Sequence, residues 1–163
     1  MLFVRYLALT TLAVWLGGMV TVGLIVAPST FSVLQAADPA MGRVLAGALF
    51  GEILGRFHLL AYGCGGLMLA CLLVLKFVGP PPRTFVPRLA IVAAMLALEV
   101  YAGVPVTREI NALQSQVTGP MNALPATDGR RMRFDRLHQT STVLMTINMA
   151  LGLVLLTWYV REP

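Results

Sequence analysis

Four long apolar stretches dominate the pattern of hydrophobic and polar positions along the chain. They cover residues 6–27, 59–78, 89–104 and 143–160. Each approaches the ~20 residues with which an α-helix crosses the hydrocarbon core of a bilayer. We therefore predict an all-α integral membrane protein, in which residues 1–163 form a single domain folded as an antiparallel bundle of four transmembrane helices.

Proline, glycine and charged residues mark where the predicted spans begin and end. The predicted spans cover approximately residues 3–27, 58–78, 85–106 and 138–160. Nothing breaks the helical pattern from Pro39 to a proline-rich turn at residues 79–83, and one helix of that length measures about 60 Å, twice the hydrocarbon thickness. We therefore predict helical extensions outside the bilayer, on one side of the bundle, at residues of about 39–57, 107–118 and 128–137.

The connection between the first two helices depends on two prolines. Pro28 marks either the end of the first helix or a kink, because proline lacks the N–H group that an α-helix uses. Asp38 followed by Pro39 has the form of an N-cap with proline at the first helical position. We therefore expect a long first loop, followed by a second helix that begins near Pro39 and is the longest in the protein.

Composition and charge agree with a membrane location. The chain is 58% hydrophobic and 12% charged, with a mean hydropathy of +0.80, whereas a soluble domain is about 25% charged. The net charge is +5, but the basic residues lie at helix ends and in loops, where they meet lipid headgroups. We expect a multi-pass protein of the bacterial cytoplasmic (inner) membrane. Its expected partners are the lipid bilayer and other membrane protein subunits, with no nucleic acid.

Two groups of residues have the pattern of contact surfaces. Four glycines at mostly four-residue spacing share one face of the second helix and predict close helix packing or, alternatively, contact with a porphyrin or a lipid; they are Gly47, Gly51, Gly55 and Gly63. Four arginines begin the fourth helix and predict binding of anionic lipid headgroups or of a partner; they are Arg130, Arg131, Arg133 and Arg136.

The two histidines, His58 and His138, each lie near the start of a membrane helix on the same predicted side. Two imidazoles at similar depth in a four-helix bundle are what a bis-histidine heme b requires. The simpler interpretation is that each is an interfacial histidine bonded to backbone, lipid or a carboxylate. The sequence lacks a Cys-x-x-Cys-His motif, which excludes covalent heme attachment.

Glu99 is the one acidic residue deep in a predicted span, where an ionised carboxylate is costly unless it is paired. It predicts either a structural hydrogen bond or a site for a proton or an ion. Candidate partners at similar depth are Thr142, Thr146 and Tyr62, and His58 or His138 are candidates nearer the surface.

A stripe of Cys64, Met68 and Cys71 suits Cu(I) or ordinary apolar packing, and we assign no metal site. The sequence contains no catalytic triad, phosphate-binding loop, metalloprotease helix or paired catalytic carboxylates, so we expect no enzymatic activity.

Three segments together resemble a known family. They are Trp15-Leu16-Gly17-Gly18 with Ala27-Pro28-Ser29-Thr30-Phe31; residues 104–113; and residues 134–141 with Asn148 further on. The combination resembles the transmembrane-protein-205-like family, also called domain of unknown function 4149. The resemblance implies four membrane helices and no established enzymatic activity. A more distant similarity to copper-resistance-D-type and protoporphyrinogen-oxidase-type bundles implies histidines near helix ends, and here only His138 lies in a family-like motif.

Three functions remain open from the sequence. The first is a non-catalytic scaffold or accessory subunit without a cofactor, packed in a larger membrane complex. The second is a heme b protein for electron transfer or heme handling, using His58 and His138. The third is an ion, proton or copper pathway that uses Glu99.

Overall fold

The computed structural model describes residues 2–78 and 84–161, so the predicted turn at residues 79–83 lies outside the described residues. Within them, four helices are long and apolar enough to cross a membrane: α1 (Leu2–Ala37), α2 (Gly42–Val78), α3 (Phe85–Gln114) and α4 (Gly129–Arg161). A short 3-10 turn, Met121–Ala123, lies between α3 and α4. The prediction of an all-α bundle of four long apolar helices is confirmed, and the chain is a small multi-pass membrane protein.

The helices pack in a ring in chain order, and each contacts its two neighbours, with α1 closing the ring against α4. The Lys76 ammonium near the end of α2 lies 5.2 Å from the ring of Phe85 at the start of α3. Near the far end of α3, Glu109 pairs with Arg133 at the start of α4. Neighbouring helices are therefore antiparallel, and the bundle has two distinct ends.

We name the two ends by the segments they carry. The terminal end carries Leu2, Val78, Phe85 and Arg161. The loop end carries the connections at residues 38–41 and 115–128.

Most of the bundle interior between these ends is apolar and filled. Side chains with no solvent exposure come from all four helices: Leu12, Trp15, Met19, Met68, Leu72, Val92, Met95 and Leu155. Large apolar side chains also cover the outside, as at Leu24 and Phe77, which are 69% and 77% exposed. An apolar exterior of this extent is unusual for a soluble monomer and is what a lipid environment requires.

Two of the helices contain a π turn next to a proline. In α1 the π turn is Thr21–Val26, which ends two residues before Pro28, and in α3 it is Ala102–Val106, which contains Pro105. A π turn is wider than an α turn and is found most often as a single turn within an α-helix. Each proline therefore lies in or next to a turn whose hydrogen bonds already depart from the α pattern.

The hydrogen bonds of these turns explain why Pro28 does not end the first helix. The N–H of Ala27 donates to the carbonyl of Val22, five residues back. In α3 the N–H of Thr107 donates to the carbonyl of Ala102, and the Thr107 hydroxyl donates to the same oxygen at 2.9 Å. Proline has no N–H group to donate. Because these bonds join residues five apart, the backbone on both sides of the proline stays hydrogen-bonded and both helices continue.

The expected long first loop is wrong, because α1 extends to Ala37 and only residues 38–41 join it to α2. The carboxylate of Asp38 accepts hydrogen bonds from the N–H groups of Ala40 and Met41, both at 3.0 Å. Asp38 thus stabilises a tight turn, and α2 begins at Gly42, three residues after Pro39; with 37 residues it is the longest of the four helices, as predicted.

Gly42 lies where this turn brings α1 and α2 into direct backbone contact. A methyl group at Gly42 would lie against the carbonyl oxygen of Leu34 and 2.6 Å from its carbonyl carbon. Backbone atoms cannot move aside as the end of a side chain can, so this position requires glycine.

We expect Gly42→Ala to destabilise the protein by about 1–3 kcal/mol, the usual cost of inserting a methyl group into a filled site. Thermal unfolding in detergent, followed by circular dichroism, measures the effect. The matched control is Gly51→Ala on the same helix, which has nothing within 4 Å and should leave the unfolding temperature unchanged or slightly raised. Equal unfolding temperatures for the two variants would contradict the close approach.

Candidate functional site

Three polar side chains from three helices meet inside the bundle and form what we call the core network: His58, Glu99 and Asn148. His58 Nδ1 lies 2.7 Å from Glu99 Oε1, and Asn148 Nδ2 donates to Glu99 Oε2 at 2.8 Å. The three residues are 6%, 5% and 1% exposed, respectively. The carboxylate of α3 is thus bonded on one side to α2 and on the other to α4.

The core network has polar atoms that remain open. His58 Nε2 and Asn148 Oδ1 are buried and have no hydrogen-bond partner among the described residues. The hydroxyl of Tyr62 is also buried without a hydrogen-bond partner among these residues. The Tyr62 ring stacks on that of His58, with the centroids 6.2 Å apart. Buried polar atoms without partners are rare in folded proteins and call for an explanation such as a bound water or a functional role.

A small cavity with a volume of about 20 Å³ adjoins the core network. That volume is enough for about one water molecule. His58, Glu99 and Asn148 all contribute to its wall, together with the Ser141 side chain and apolar residues of α2, α3 and α4. A water in this cavity would have several polar neighbours, which is the condition for a buried site to be wet rather than empty.

The π turn of α3 packs directly against the histidine. A methyl group at Gly103 would lie against the Tyr62 hydroxyl and 2.7 Å from Cγ of His58. The next residue towards Glu99, Ala102, lines the cavity. Glycine therefore allows the backbone of the π turn to contact the imidazole ring and so fixes the position of His58.

His138, the second histidine, lies apart from this site. It is exposed, and its ring stacks on that of Phe134 with the centroids 6.3 Å apart. It precedes Asn148 by about 15 Å along the axis of α4, whereas the two ligating nitrogens of a shared heme lie ~4 Å apart. The structure does not bring His58 and His138 together, and the cavity beside His58 is far too small for a porphyrin.

The candidate copper residues belong to the apolar core. Cys64, Met68 and Cys71 are buried, and both cysteines are free thiols. Within residues 2–78 and 84–161, no group of three or more histidine, cysteine or acidic side chains is placed to hold a metal ion. Their arrangement is that of ordinary packing residues.

The predicted glycine stripe does not hold the helices of this chain together. A methyl group at Gly51, Gly55 or Gly63 would meet nothing within 4 Å, and one at Gly47 would meet only the side-chain amide of Gln114 at 3.7 Å. The close contacts instead involve other glycines: Gly18 against Phe57, Gly65 against Leu96 and Trp15, and Gly152 against Leu16 and Met95.

The arginine cluster is largely engaged with the protein itself. Arg130 pairs with Asp128 at 2.8 Å, Arg131 donates to the carbonyl of Leu124 at 2.7 Å, and Arg133 pairs with Glu109. These contacts fix the connection between α3 and α4. The remaining member, Arg136, is exposed, and its guanidinium has no hydrogen bond or ion pair with any residue that the structure describes.

Asp128 anchors the start of α4 by accepting the N–H of Arg130 at 2.8 Å. The hydrogen bonds from the side chain and backbone of Arg130 lower the pKa of the Asp128 carboxyl to about 2. The cap and its ion pair therefore persist over the whole physiological pH range, because the carboxylate stays ionised until the pH falls towards that value.

Sequence reasoning missed three residues that shape the structure. Asn148 was visible as a polar side chain in an otherwise apolar stretch, but nothing indicated its partner. Gly103 stood between apolar residues without any repeat. Arg88 is only 3% exposed, donates to the carbonyl of Trp158 at 3.0 Å and lies 4.7 Å from the ring of Tyr159, so it joins α3 to α4 at the terminal end.

Comparison with known proteins adds a family. No curated protein and no solved structure matches the chain. Residues 10–118 match a family described as Domain of unknown function (DUF4149). The matched part contains His58, Glu99 and Gly103, and ends before Asn148 on α4. It covers more than half of the sequence, and the chain therefore belongs to the DUF4149 family.

Proposed function

We propose that this protein is a non-catalytic membrane protein whose core network binds and releases one proton inside the bundle. The observation that carries the proposal is the bonding of Glu99 to His58 and Asn148, with every member more than nine-tenths buried. Acidic and histidine side chains within membrane helices are expensive to maintain and mark proton relays, ion pathways and similar sites.

The pairing of His58 with Glu99 makes a titratable group tolerable in this environment. With one proton shared between them, the pair is neutral overall, whether the carboxyl or the imidazole holds that proton. A lone carboxylate would carry a full charge into a medium that solvates it poorly. Asn148 donates to the second carboxyl oxygen, so neither oxygen of the buried Glu99 side chain is left without a partner.

The open nitrogen of His58 provides the exchange point for a proton. Nδ1 is occupied by Glu99, whereas Nε2 has no partner among the described residues. In the neutral pair the Glu99 carboxyl holds the shared proton and Nε2 carries the other. When Nε2 releases its proton, the carboxyl proton passes to Nδ1, which then donates to the ionised carboxylate, and the network gains one negative charge. Uptake at Nε2 reverses the step. The network can therefore exchange a proton without breaking the bonds that join the three helices.

We expect infrared difference spectra of the reconstituted protein, taken between low and high pH, to contain a carbonyl stretching band from the protonated Glu99 carboxyl. Glu99→Gln should remove this band, because glutamine has the same shape and cannot titrate. Glu52→Gln is the control, since Glu52 is an exposed carboxylate paired with Arg56; its band should be lost without affecting that of Glu99. Identical spectra for the wild type and Glu99→Gln across the pH range would refute a proton site.

We expect Gly103→Ala to displace the His58 ring and weaken its bond to Glu99, because the added methyl group contacts both His58 and the Tyr62 hydroxyl. Nitrogen-15 NMR signals of the imidazole should shift, and Tyr62→Phe in the same protein should restore them in part by removing the hydroxyl. Gly66→Ala, at an exposed glycine with nothing within 4 Å, should leave the imidazole signals unchanged. Unshifted imidazole signals in Gly103→Ala would show that the π turn does not position His58.

A second candidate function, that of a scaffold or accessory subunit, is favoured by the glycine stripe. Gly51 and Gly63 are exposed, and no part of this chain covers them or Gly55. Faces of small residues allow the backbones of two membrane helices to approach closely. Contact of these glycines with another subunit is compatible with a proton site in the core, because Gly51 and Gly63 are exposed whereas His58 is buried.

We expect Gly51→Leu and Gly55→Leu to leave the unfolding temperature of the isolated protein unchanged and to reduce its recovery in larger membrane complexes. Native gels and cross-linking of membranes solubilised in mild detergent measure that recovery. Ala94→Leu, a similar enlargement at an exposed position of α3, is the control and should have no effect. Unaltered complexes in both glycine variants would mean that the stripe contacts only lipid.

A further inference from the structure

We infer that the core network exchanges its proton with the loop end of the bundle only, so that the protein responds to the pH on one side of the membrane and is closed to the other. This inference rests on the proposed proton site and adds its sidedness. It follows from where the cavity lies relative to the network and from what fills the bundle on the opposite side.

The cavity extends from the network towards the loop end. On α2, its wall contains Leu54 and Phe57, which precede His58, and on α4 it contains Ser141, which precedes Asn148. Both helices start at the loop end, so these residues lie on the loop side of the network. α3 runs in the opposite direction, from the terminal end to the loop end. Its residue Ala102, which follows Glu99 and lines the cavity, therefore also lies on the loop side of the network.

Ser141 lines the cavity and lies close to the boundary of the bilayer hydrocarbon on the loop side. It is partly exposed and comes just before the apolar stretch at residues 143–160. From Ser141 to Asn148 the distance along α4 is about 10 Å. One water reaches about 5–6 Å with its two hydrogen bonds, so a water in the cavity together with a water at the partly exposed Ser141 can link the loop-end surface to the network. Such a short path is sufficient for proton exchange because water both donates and accepts hydrogen bonds.

The terminal side of the network is closed by apolar packing. Fully buried side chains from all four helices occupy the next layers, including Met95 on α3, Met68 on α2 and Leu155 on α4. The next buried charge in this direction is on Arg88, about 16 Å from Glu99 along α3. The indole N–H of Trp15 is buried in these layers, but an indole only donates and cannot pass a proton on.

Few other titratable groups face the network. On α2 they are Tyr62 and, about two turns from His58, Cys64. On α3 and α4 the nearest, Tyr101 and His138, are exposed. In α1, the sequence between Tyr6 and Asp38 contains no titratable residue. The one buried polar side chain of α1, Thr11, donates to the carbonyl of Leu7 at 2.8 Å within its own helix, and α1 therefore supplies no titratable group for a path to the terminal end.

The test uses the full chain in proteoliposomes with a different pH on each side, held by impermeant buffers. The fraction of molecules with the loop end outside is measured by labelling Ala126→Cys, in the exposed α3–α4 connection, with an impermeant maleimide. After a jump in external pH, the infrared band of Glu99 reports the fraction of networks that change protonation. We expect this fraction to equal the labelled fraction, and an ionophore that collapses the gradient to make all molecules respond.

The outcomes separate this inference from the proton site itself. A response of all molecules without the ionophore, or of a fraction equal to the unlabelled molecules, would overturn the one-sided access while leaving a titrating network. No response even with the ionophore would overturn the proton site and this inference with it.

A pair of neighbouring variants tests the route. Ser141→Leu places a bulky side chain at the cavity wall and should slow the response to a loop-side pH jump without removing the Glu99 band. Thr142→Leu is the matched control, because Thr142 is exposed and does not line the cavity. Equal response rates in the two variants would place the exchange route elsewhere and overturn the assignment of the cavity as the entrance.

Discussion

The bonding of one carboxylate to two side chains is the constraint on which the centre of this protein depends. Glu99 is held by His58 and Asn148, and in a bilayer there is no water outside the bundle to replace either bond. Because the three residues come from three helices, the helices must keep a common depth and rotation for the carboxylate to remain satisfied. The apolar layers towards the terminal end also hold the helices in contact. Such contacts determine the relative depth and rotation of the helices only weakly, because the lipid outside is as apolar as the neighbouring helix.

Hydropathy was sufficient to find the helices, because length and apolar composition are what a bilayer selects. It was insufficient at Pro28, which could mark either the end of the first helix or a kink, and where a long loop was predicted. The π turn at Thr21–Val26 depends on backbone bonds five residues apart, which no single residue type signals. The Asp38 turn illustrates the same point: its capping residue was recognised, but the start of the helix was shifted by a second, backbone constraint at Gly42.

The site was predictable in part. Glu99 stood out because a charge in an apolar stretch needs a partner, and His58 was one of the candidate partners, although it was expected nearer the surface than Glu99. Asn148 and Gly103 could not be found, because their roles come from helix rotation, which sequence spacing does not determine. For the same reason the spacing of the four glycines did not determine which face of α2 points into the bundle: lipid is as apolar as the core, so small residues suit either surface.

The two π turns have a consequence for how the helices are built. A π turn contains one residue more than an α turn, so the part of the helix beyond it is rotated by about 100° relative to an uninterrupted helix. In α1 and in α3, the half before the π turn and the half after it can therefore have different rotations. One half turns its apolar face to the core, and the other turns its contact residues to their partners at the loop end. Removal of a single residue from either turn would leave the core half in register and turn the outer half away from its neighbours, such as Glu109 from Arg133. The length of each turn, rather than the identity of its side chains, therefore encodes how the inner and outer parts of the bundle are aligned.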